Sequence, residues 1–397
     1  MKFLPKNWIL IPLGDCCQII SGSTPKRNKP EYWGGDIPWV TPKDLSKLRT
    51  PVLEDAPEKI TEAGYKSCST TLLPQGSILF SSRAPIGYVA IAGRPMCTNQ
   101  GFKSLVPNEY VHSPYLYWCM RQYASDIEAL GSGTTFKEVS KGIVERFKIP
   151  LPPLEEQRRI AAILDKADGV RRKRKEAIRL TEELLRSTFL EMFGDPVTNP
   201  KGWEVKRLGE ICTNFQNGIG KNSEHYGHGS KVANISDLYE WHRFIPEKYS
   251  LLDVTPKEIE KYSLMRGDLL FVRSSVKREG VAVCSVYDSD EICLFSSFMI
   301  RVRPRTDLIN PEFLSLMLRT PPMRNRLILG SNTSTITNIS QPGLSKIEVV
   351  VPPIKTQNLI TKVTKNIEES VRCHLQALEQ SENLFNSLLQ RAFRGEL

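Results

Sequence analysis

The sequence predicts an α+β protein in which two β-rich, mixed α/β modules alternate with two long helices packed as an antiparallel coiled coil, under an internal pseudo-two-fold repeat. Three observations predict it: an ordered duplication, short apolar runs bounded by turn residues in each repeat, and a proline-free heptad stretch closing each repeat. The reading divides the chain into a first module at 1–153, a first helix at 154–195, a second module at 196–353 and a second helix at 354–397.

The duplication runs in order along the chain. Asn7-Trp8…Leu13-Gly14-Asp15-Cys16-Cys17 is echoed by Gly202-Trp203…Leu208-Gly209-Glu210-Ile211-Cys212, about 195 residues later. Gln75-Gly76-Ser77-Ile78-Leu79-Phe80 returns as Arg266-Gly267-Asp268-Leu269-Leu270-Phe271, and Gly131-Ser132 with Thr134 returns as Gly330-Ser331 with Thr333. Pro152-Pro153-Leu154…Gln157…Ile160 returns as Pro352-Pro353-Ile354…Gln357…Ile360. Matches in one order mean duplication, and two like halves suit a target with two like parts.

Within each module, Ser77–Phe80 and Gly87–Ile91, then Asp268–Val272 and Gly280–Val283, read as short strands between turn residues. One helix per module is expected to begin at Pro114 or Pro311, because proline is tolerated in a first turn. Beyond each Pro-Pro pair the pattern changes. Apolar residues recur at 160, 163/164, 167, 170, 177/178, 184/185 and 192, then at 360, 363, 367, 371, 375, 378, 385, 388/389 and 392. Steps of three and four over some five heptads make a coiled-coil stripe. At 1.5 Å per residue, about 40 residues span roughly 60 Å. Neither stripe can bury itself, so the two helices are expected to pack on each other.

Composition narrows the function. Of 397 residues, 40% are hydrophobic and 25% charged, which excludes wholesale disorder. No apolar run approaches the roughly 20 residues of a membrane span, and Trp8–Leu13 is too short for a signal core, so a soluble, cytoplasmic protein is expected. Nine scattered cysteines without a C-x-x-C pair read as free thiols. The net charge of +10 favours a polyanionic partner, and most of the excess falls in the modules rather than the helices. The run Arg171-Arg-Lys-Arg-Lys175 reads either as a solvated or partner-facing helix side or as a phosphate contact.

Catalytic patterns are missing. Gly218-Ile-Gly220 and Gly131-Ser-Gly133 lack the rest of a dinucleotide fingerprint, and no G-x-x-x-x-G-K-[ST] occurs. The Pro-Pro pairs follow Leu, Thr and Val rather than the Asp or Asn of an adenine-gripping methylase segment. His225 and His228 read as an exposed loop rather than a metal site, and Glu204-Val-Lys206 as part of the repeat's opening segment rather than a nuclease strand. No catalytic and no metal-binding residue is assigned.

Several segments carry a family resemblance: Ser21-Gly-Ser-Thr-Pro25, Tyr32-Trp-Gly-Gly-Asp-Ile-Pro-Trp39-Val-Thr-Pro-Lys-Asp-Leu45, Leu79-Phe-Ser-Ser-Arg-Ala-Pro-Ile-Gly87, Thr98-Asn-Gln-Gly-Phe102 and the two Pro-Pro…Gln…Ile helix openings. Along its whole length the chain resembles the specificity (S) subunits of type I restriction–modification systems. The second module departs from the pattern, with Asn234-Ile-Ser-Asp237-Leu238 and Phe271-Val-Arg273-Ser274-Ser275. The resemblance implies two target-recognition domains on a helical spacer, each reading half of a bipartite, asymmetric double-stranded DNA target in phage defence. It implies a non-catalytic chain without its own cofactor. Two methyltransferase (M) subunits would carry S-adenosylmethionine to methylate adenine N6, and restriction (R) subunits would supply ATP- and Mg-dependent cleavage.

Given that resemblance, the DNA-contacting candidates are polar and basic loop residues whose groups match base edges or phosphates. In the first module these are Ser23, Thr24, Lys26, Arg27, Thr41, Lys43, Ser82, Arg83, Asn99 and Gln100; in the second, Asn234, Ser236, Arg273, Ser274, Ser275, Lys277 and Arg278. Thr41–Asp44 and Ser81–Arg83 read equally as turn closures. Two other functions stay open at this point: a coiled-coil scaffold that binds no DNA, and a methyltransferase or nuclease with duplicated recognition modules.

Overall fold

The structure, a computed structural model, describes residues 5–83, 85–132, 137–246, 248–331 and 337–397. Thr134 and Thr333 of the repeat lie outside them. The chain divides into two compact units: residues up to 177 with 374–397, and residues 178–373.

The first unit is built on a five-stranded sheet ordered Cys17–Ser21, Lys103–Pro107, Ile78–Phe80, Val89–Ala92, Val52–Leu53. Its central strand has no hydrophobic alternation because both faces are covered. Ile78 and Phe80 enter the core shared with the helix Ser113–Gln122, whereas Leu79 enters a second core with Val40 and Phe102. A three-stranded sheet, Lys59–Ile60, Trp33–Val40, Cys97–Thr98, carries the loops on that second side. Gln75-Gly76-Ser77 is a tight turn into the central strand, and only glycine takes its φ of +87° without strain.

The second unit repeats this architecture strand for strand. Its five-stranded order is Cys212–Asn217, Met299–Pro304, Leu269–Val272, Cys284–Tyr287, Arg243–Phe244, and its three-stranded order is Ser250–Leu252, Tyr226–Ala233, Leu294–Phe295. Gly267 repeats the positive φ at +91°. The duplication read from the residues is thus a duplication of folds. One expected strand is corrected: Gly280–Val283 turns, and the strand starts at Cys284. Ala282 stands at φ +55°, a left-handed conformation that breaks an extended run. The helix expected at Pro114 or Pro311 is present in each module. Ser113–Gln122 and Pro311–Arg319 are each followed by a second short helix, Ala124–Ala129 and Pro321–Leu329.

Each module leaves through the partner of the strand by which it began. Ile9–Pro12 pairs antiparallel with Lys148–Leu151, and Glu204–Arg207 with Glu348–Val351. Glu204-Val-Lys206 is therefore half of a structural ribbon. Directly after each ribbon a long helix starts, Leu154–Phe193 and Ile354–Ala392. The repeated glutamine clips it to the module. Gln157 Oε1 accepts the His112 N–H at 2.8 Å while its Nε2 donates to Tyr110 O at 2.9 Å and Pro152 O at 2.8 Å. Gln357 does the same with Asn310 N–H (2.7 Å), Leu308 O (3.1 Å) and Pro352 O (2.6 Å). Both glutamines are buried, and each satisfies three backbone groups where its helix begins.

In the first unit the two helices run antiparallel. Arg159 donates to Leu397 O, Arg171 lies over the Phe385 ring at 4.2 Å, and Lys175 pairs with Glu382 at 2.8 Å. In the second unit Leu185, Phe189 and Phe193 share a core with Ile360, Ile367 and Val371. The apolar stripe needs correction at Val170 and Leu375, counted in it but exposed, whereas at 184/185 Leu185 is the buried member. Beside Val170 a carboxylate, Asp168, is buried, held by Arg171 at 2.5 Å and Arg172 at 2.7 Å. A buried carboxylate needs such partners, because unpaired burial of its charge costs several kcal/mol, on the order of 3–5 when one partner is removed.

Candidate nucleic-acid interface

In the first module, the loops after three strands converge on one concavity. Thr41, Lys43, Arg83, Asn99 and Gln100 all line it, together with Tyr88. Local chemistry fixes each loop. Thr41 caps the helix Pro42–Ser46: its N–H and its hydroxyl both donate to Asp44 Oδ2 at 2.8 Å. Asn99 Oδ1 accepts the Gly101 N–H at 2.9 Å. Arg83 Nε pairs with Glu138 Oε2 at 2.9 Å, and Glu138 also faces the buried Lys103 at 3.5 Å.

The Ser23–Arg27 loop packs beside these. Gly22 makes this possible, since a Cβ there would stand 2.0 Å from Asn99 O. Thr24 donates to Gln100 Oε1. Arg27 lies over Trp33 at 4.0 Å and Trp39 at 4.8 Å and pairs with Glu58 at 2.8 Å, while Lys26 is exposed. Ser23 is half-buried, its carbonyl accepting the Trp39 Nε1–H. Ser82 is the exception. It is fully buried and its hydroxyl donates to Gly101 O at 3.2 Å, so its side chain holds the loop from inside and does not reach the surface.

The second module presents the same frame with other side chains. Asn234 replaces Thr41: its N–H donates to Asp237 Oδ2, and its amide is consumed by Lys248 O and the Ser250 hydroxyl. That makes Asn234 a turn residue with little left for a ligand, whereas Ser236 is exposed. Gly218 repeats the close approach, with a Cβ 2.1 Å from Ser296 O. The backbone bridge Arg83↔Glu138 becomes the paired strands Ser274–Ser275 and Thr337–Asn338, and the ion pair becomes a Ser274 hydroxyl donating to Asn338 Oδ1. Arg273 lines a concavity with Asn217, Asn338 and Gln341 and donates to Ser297 O at 3.3 Å. Lys277 and Arg278 are exposed beside Val276.

Sequence reasoning missed Glu138 and Asn338, which orient Arg83 and Ser274; they stand 200 residues apart, and repeat alignment past Gly131 and Gly330 is the signal for them. It also missed the Trp33–Trp39 platform under Arg27. His225 Nδ1 and His228 Nε2 each lie 4.0 Å from Asp253 Oδ2, and among the described residues no three groups converge as a metal would need. In the same loop region, the Lys221 ammonium beside Glu258 pulls its carboxyl down to about 2. Among the described residues no helix is long and apolar enough to cross a membrane.

Comparison with known proteins finds one family model, the type I restriction modification DNA specificity domain, matching twice, at residues 5–180 and 200–381. The chain is similar to the MjaIX type I restriction enzyme specificity subunit of Methanocaldococcus jannaschii, 40% identical over 228 residues. That match covers 52% of this chain and about half, 52%, of the relative. It is also similar to the EcoKI specificity subunit of Escherichia coli, 24% identical over 99% of this chain and 90% of the relative. A solved chain from a study of type I R-M complex assembly and conformational transition shares the fold, with a TM-score of 0.57 at 22% identity over 100% of both chains.

Proposed function

Since the chain belongs to the DNA-specificity family of type I restriction–modification systems, we propose that each module is a target-recognition domain reading one half of a bipartite double-stranded DNA sequence. The observation that carries this is the duplication with altered loops: one frame, Gly22 and Gly218 included, holds Thr41, Arg83 and Gln100 in one copy and Asn234, Ser274 and Arg273 in the other. Two like frames with unlike side chains suit two unlike half-sites. The reading surface of the first module is Thr24, Lys26, Arg27, Thr41, Lys43, Arg83, Asn99 and Gln100; that of the second is Ser236, Arg273, Ser274, Ser275, Lys277 and Arg278.

The relatives are specificity subunits, and the chain acts with partners rather than by its own catalysis. Two methyltransferase subunits, loaded with S-adenosylmethionine, dock on it to methylate adenine N6, and restriction subunits using ATP and Mg join them, in the cytoplasm. The scaffold and stand-alone enzyme readings have no support in the relatives. The test is to map N6-methyladenine genome-wide in cells with and without the gene, then with Arg83→Ala and Arg273→Ala. Each substitution is expected to weaken only the half-site its own module reads, by about 1–3 kcal/mol for a base-contacting arginine. Unchanged affinity and methylation pattern in both variants defeats the assignment.

A further inference from the structure

The basic run at 171–175 is not a uniformly solvated face. Arg171 is folded inward, its side chain 16% exposed, between Asp168 and the Phe385 ring. Lys175 is spent on Glu382. Arg172, also bonded to Asp168, turns to a cavity of about 330 Å³ between the first long helix and the first module. Four guanidiniums line that cavity, those of Arg49, Arg121, Arg171 and Arg172, against one lining carboxylate, Asp168. Arg121 is held in place by its neighbours: Nη1 lies 3.2 Å from Tyr117 Oη, and its Cζ stands 5.7 Å from the Trp118 ring. Arg49 is 78% exposed, in a loose pair with Glu176 at 3.8 Å.

Ser46 and Tyr88 line this cavity and also line the concavity of Thr41, Arg83 and Gln100. The two hollows are therefore contiguous. A duplex read at the first hollow carries a sugar–phosphate strand past Ser46 and Tyr88 into the second. Guanidiniums presented by aromatic rings, and Arg172 held through its Nε by Asp168, suit phosphate oxygens. We propose that Arg49, Arg121 and Arg172 form a phosphate clamp that grips the unspecified DNA between the half-sites, adding affinity without sequence. This rests on the DNA-reading function proposed above. In the second module, counting from the helix N-caps His112 and Asn310, Arg319 stands where the first has Arg121, and its guanidinium donates to the carbonyls of Leu238, Tyr239 and Cys284.

The test uses the full chain copurified with its methyltransferase subunits and a duplex carrying the mapped target. Binding is measured against salt for wild type, Arg49→Gln/Arg121→Gln and Arg121→Lys. The double variant is expected to bind about tenfold more weakly at 0.1 M salt and to lose about 2 from the slope of log K against log[salt], one for each contact removed. Methylated sequences stay the same, and phosphate-ethylation interference disappears only on the spacer flank of the first module's half-site. Arg121→Lys keeps the slope, because it keeps the charge. If wild type binds but the double variant matches it in affinity and slope, the clamp is wrong and the reading surface stands. If the variant loses its methyltransferase subunits while its slope is unchanged, the cavity docks an acidic protein segment and the clamp is again wrong. If wild type itself shows no salt-dependent preference for the target duplex, the DNA-reading function falls, and the clamp with it.

Discussion

Replacing Gln357 with methionine keeps the volume of the side chain and removes its amide. In the structure that amide is buried and makes three hydrogen bonds, to Asn310 N–H, Leu308 O and Pro352 O. Methionine offers none of these, so three backbone groups, one of them buried and two partly buried, lose their partners. At about 1–3 kcal/mol for each unsatisfied group, partly relieved by relaxation or an entering water, the loss comes to about 3–5 kcal/mol. The effect is centred on the second unit, because Asn310 also caps the helix Pro311–Arg319, its Oδ1 accepting from Glu312 and Phe313 N–H. Urea unfolding followed by circular dichroism checks the magnitude, and hydrogen exchange checks the place, with the Asn310 amide expected to lose protection first. Lys355→Met, on an exposed position of the same turn, is the control and should stay within about 0.5 kcal/mol of wild type. If Gln357→Met is as mild as the control and the Asn310 amide stays protected, the glutamine is not the clip described here.

Acid should destabilise the second unit through His242. Burial, with Arg243 and Arg319 nearby, holds its imidazole down to about 3, although Glu368 Oε1, itself bonded to Arg243 and Trp241, lies 3.1 Å from Nε2. The ring is then neutral when folded and titrates near 6.5 when unfolded, so stability is intact above about pH 6.5 and falls below it, by about 2 kcal/mol at pH 5. His242→Gln should flatten that slope in urea titrations across pH. The purified single chain should show no methyl transfer to, and no cleavage of, target DNA, and should gain methylation on adding cognate methyltransferase; turnover by the single chain contradicts this. A heptad inserted after Glu176 should widen the gap between half-sites and leave both half-sites unchanged, as read by methylation mapping. A fixed gap, or altered half-sites, would show that the helices do not set the spacing.

Periodicity and repetition made the architecture legible because they are carried by many residues at once. The heptads of 154–193 and the paired Pro-Pro…Gln openings need no side-chain geometry to be recognised. The strand at 284–287 was misplaced because Val281–Val283 has strand composition, whereas Ala282 occupies a left-handed conformation that composition does not reveal. The stripe failed at Val170 because periodicity assumes an apolar partner at every turn, and beside it a buried position is taken by Asp168 and its arginines. Among the candidate loop residues, residue type could not separate Ser82, which faces inward, from Arg83, which faces out. One residue along an extended chain reverses the side on which a group lies. Nor could it show that Asn234 spends its amide on its own turn, since that depends on Lys248 and Ser250 arriving from elsewhere in the module.

The ribbons Ile9–Pro12 with Lys148–Leu151 and Glu204–Arg207 with Glu348–Val351 give each module a single doorway. Whatever lies between the two strands of a ribbon begins and ends at the same spot. If each module reads one half-site as proposed, exchange of coding segments between related genes at these positions would trade one half of a recognition sequence and leave the helical frame as it was. A new specificity is then a matter of one crossover at each doorpost, not of coordinated change across the protein. Selection for novelty in what is read and selection for constancy in what is assembled act on different stretches of the same chain.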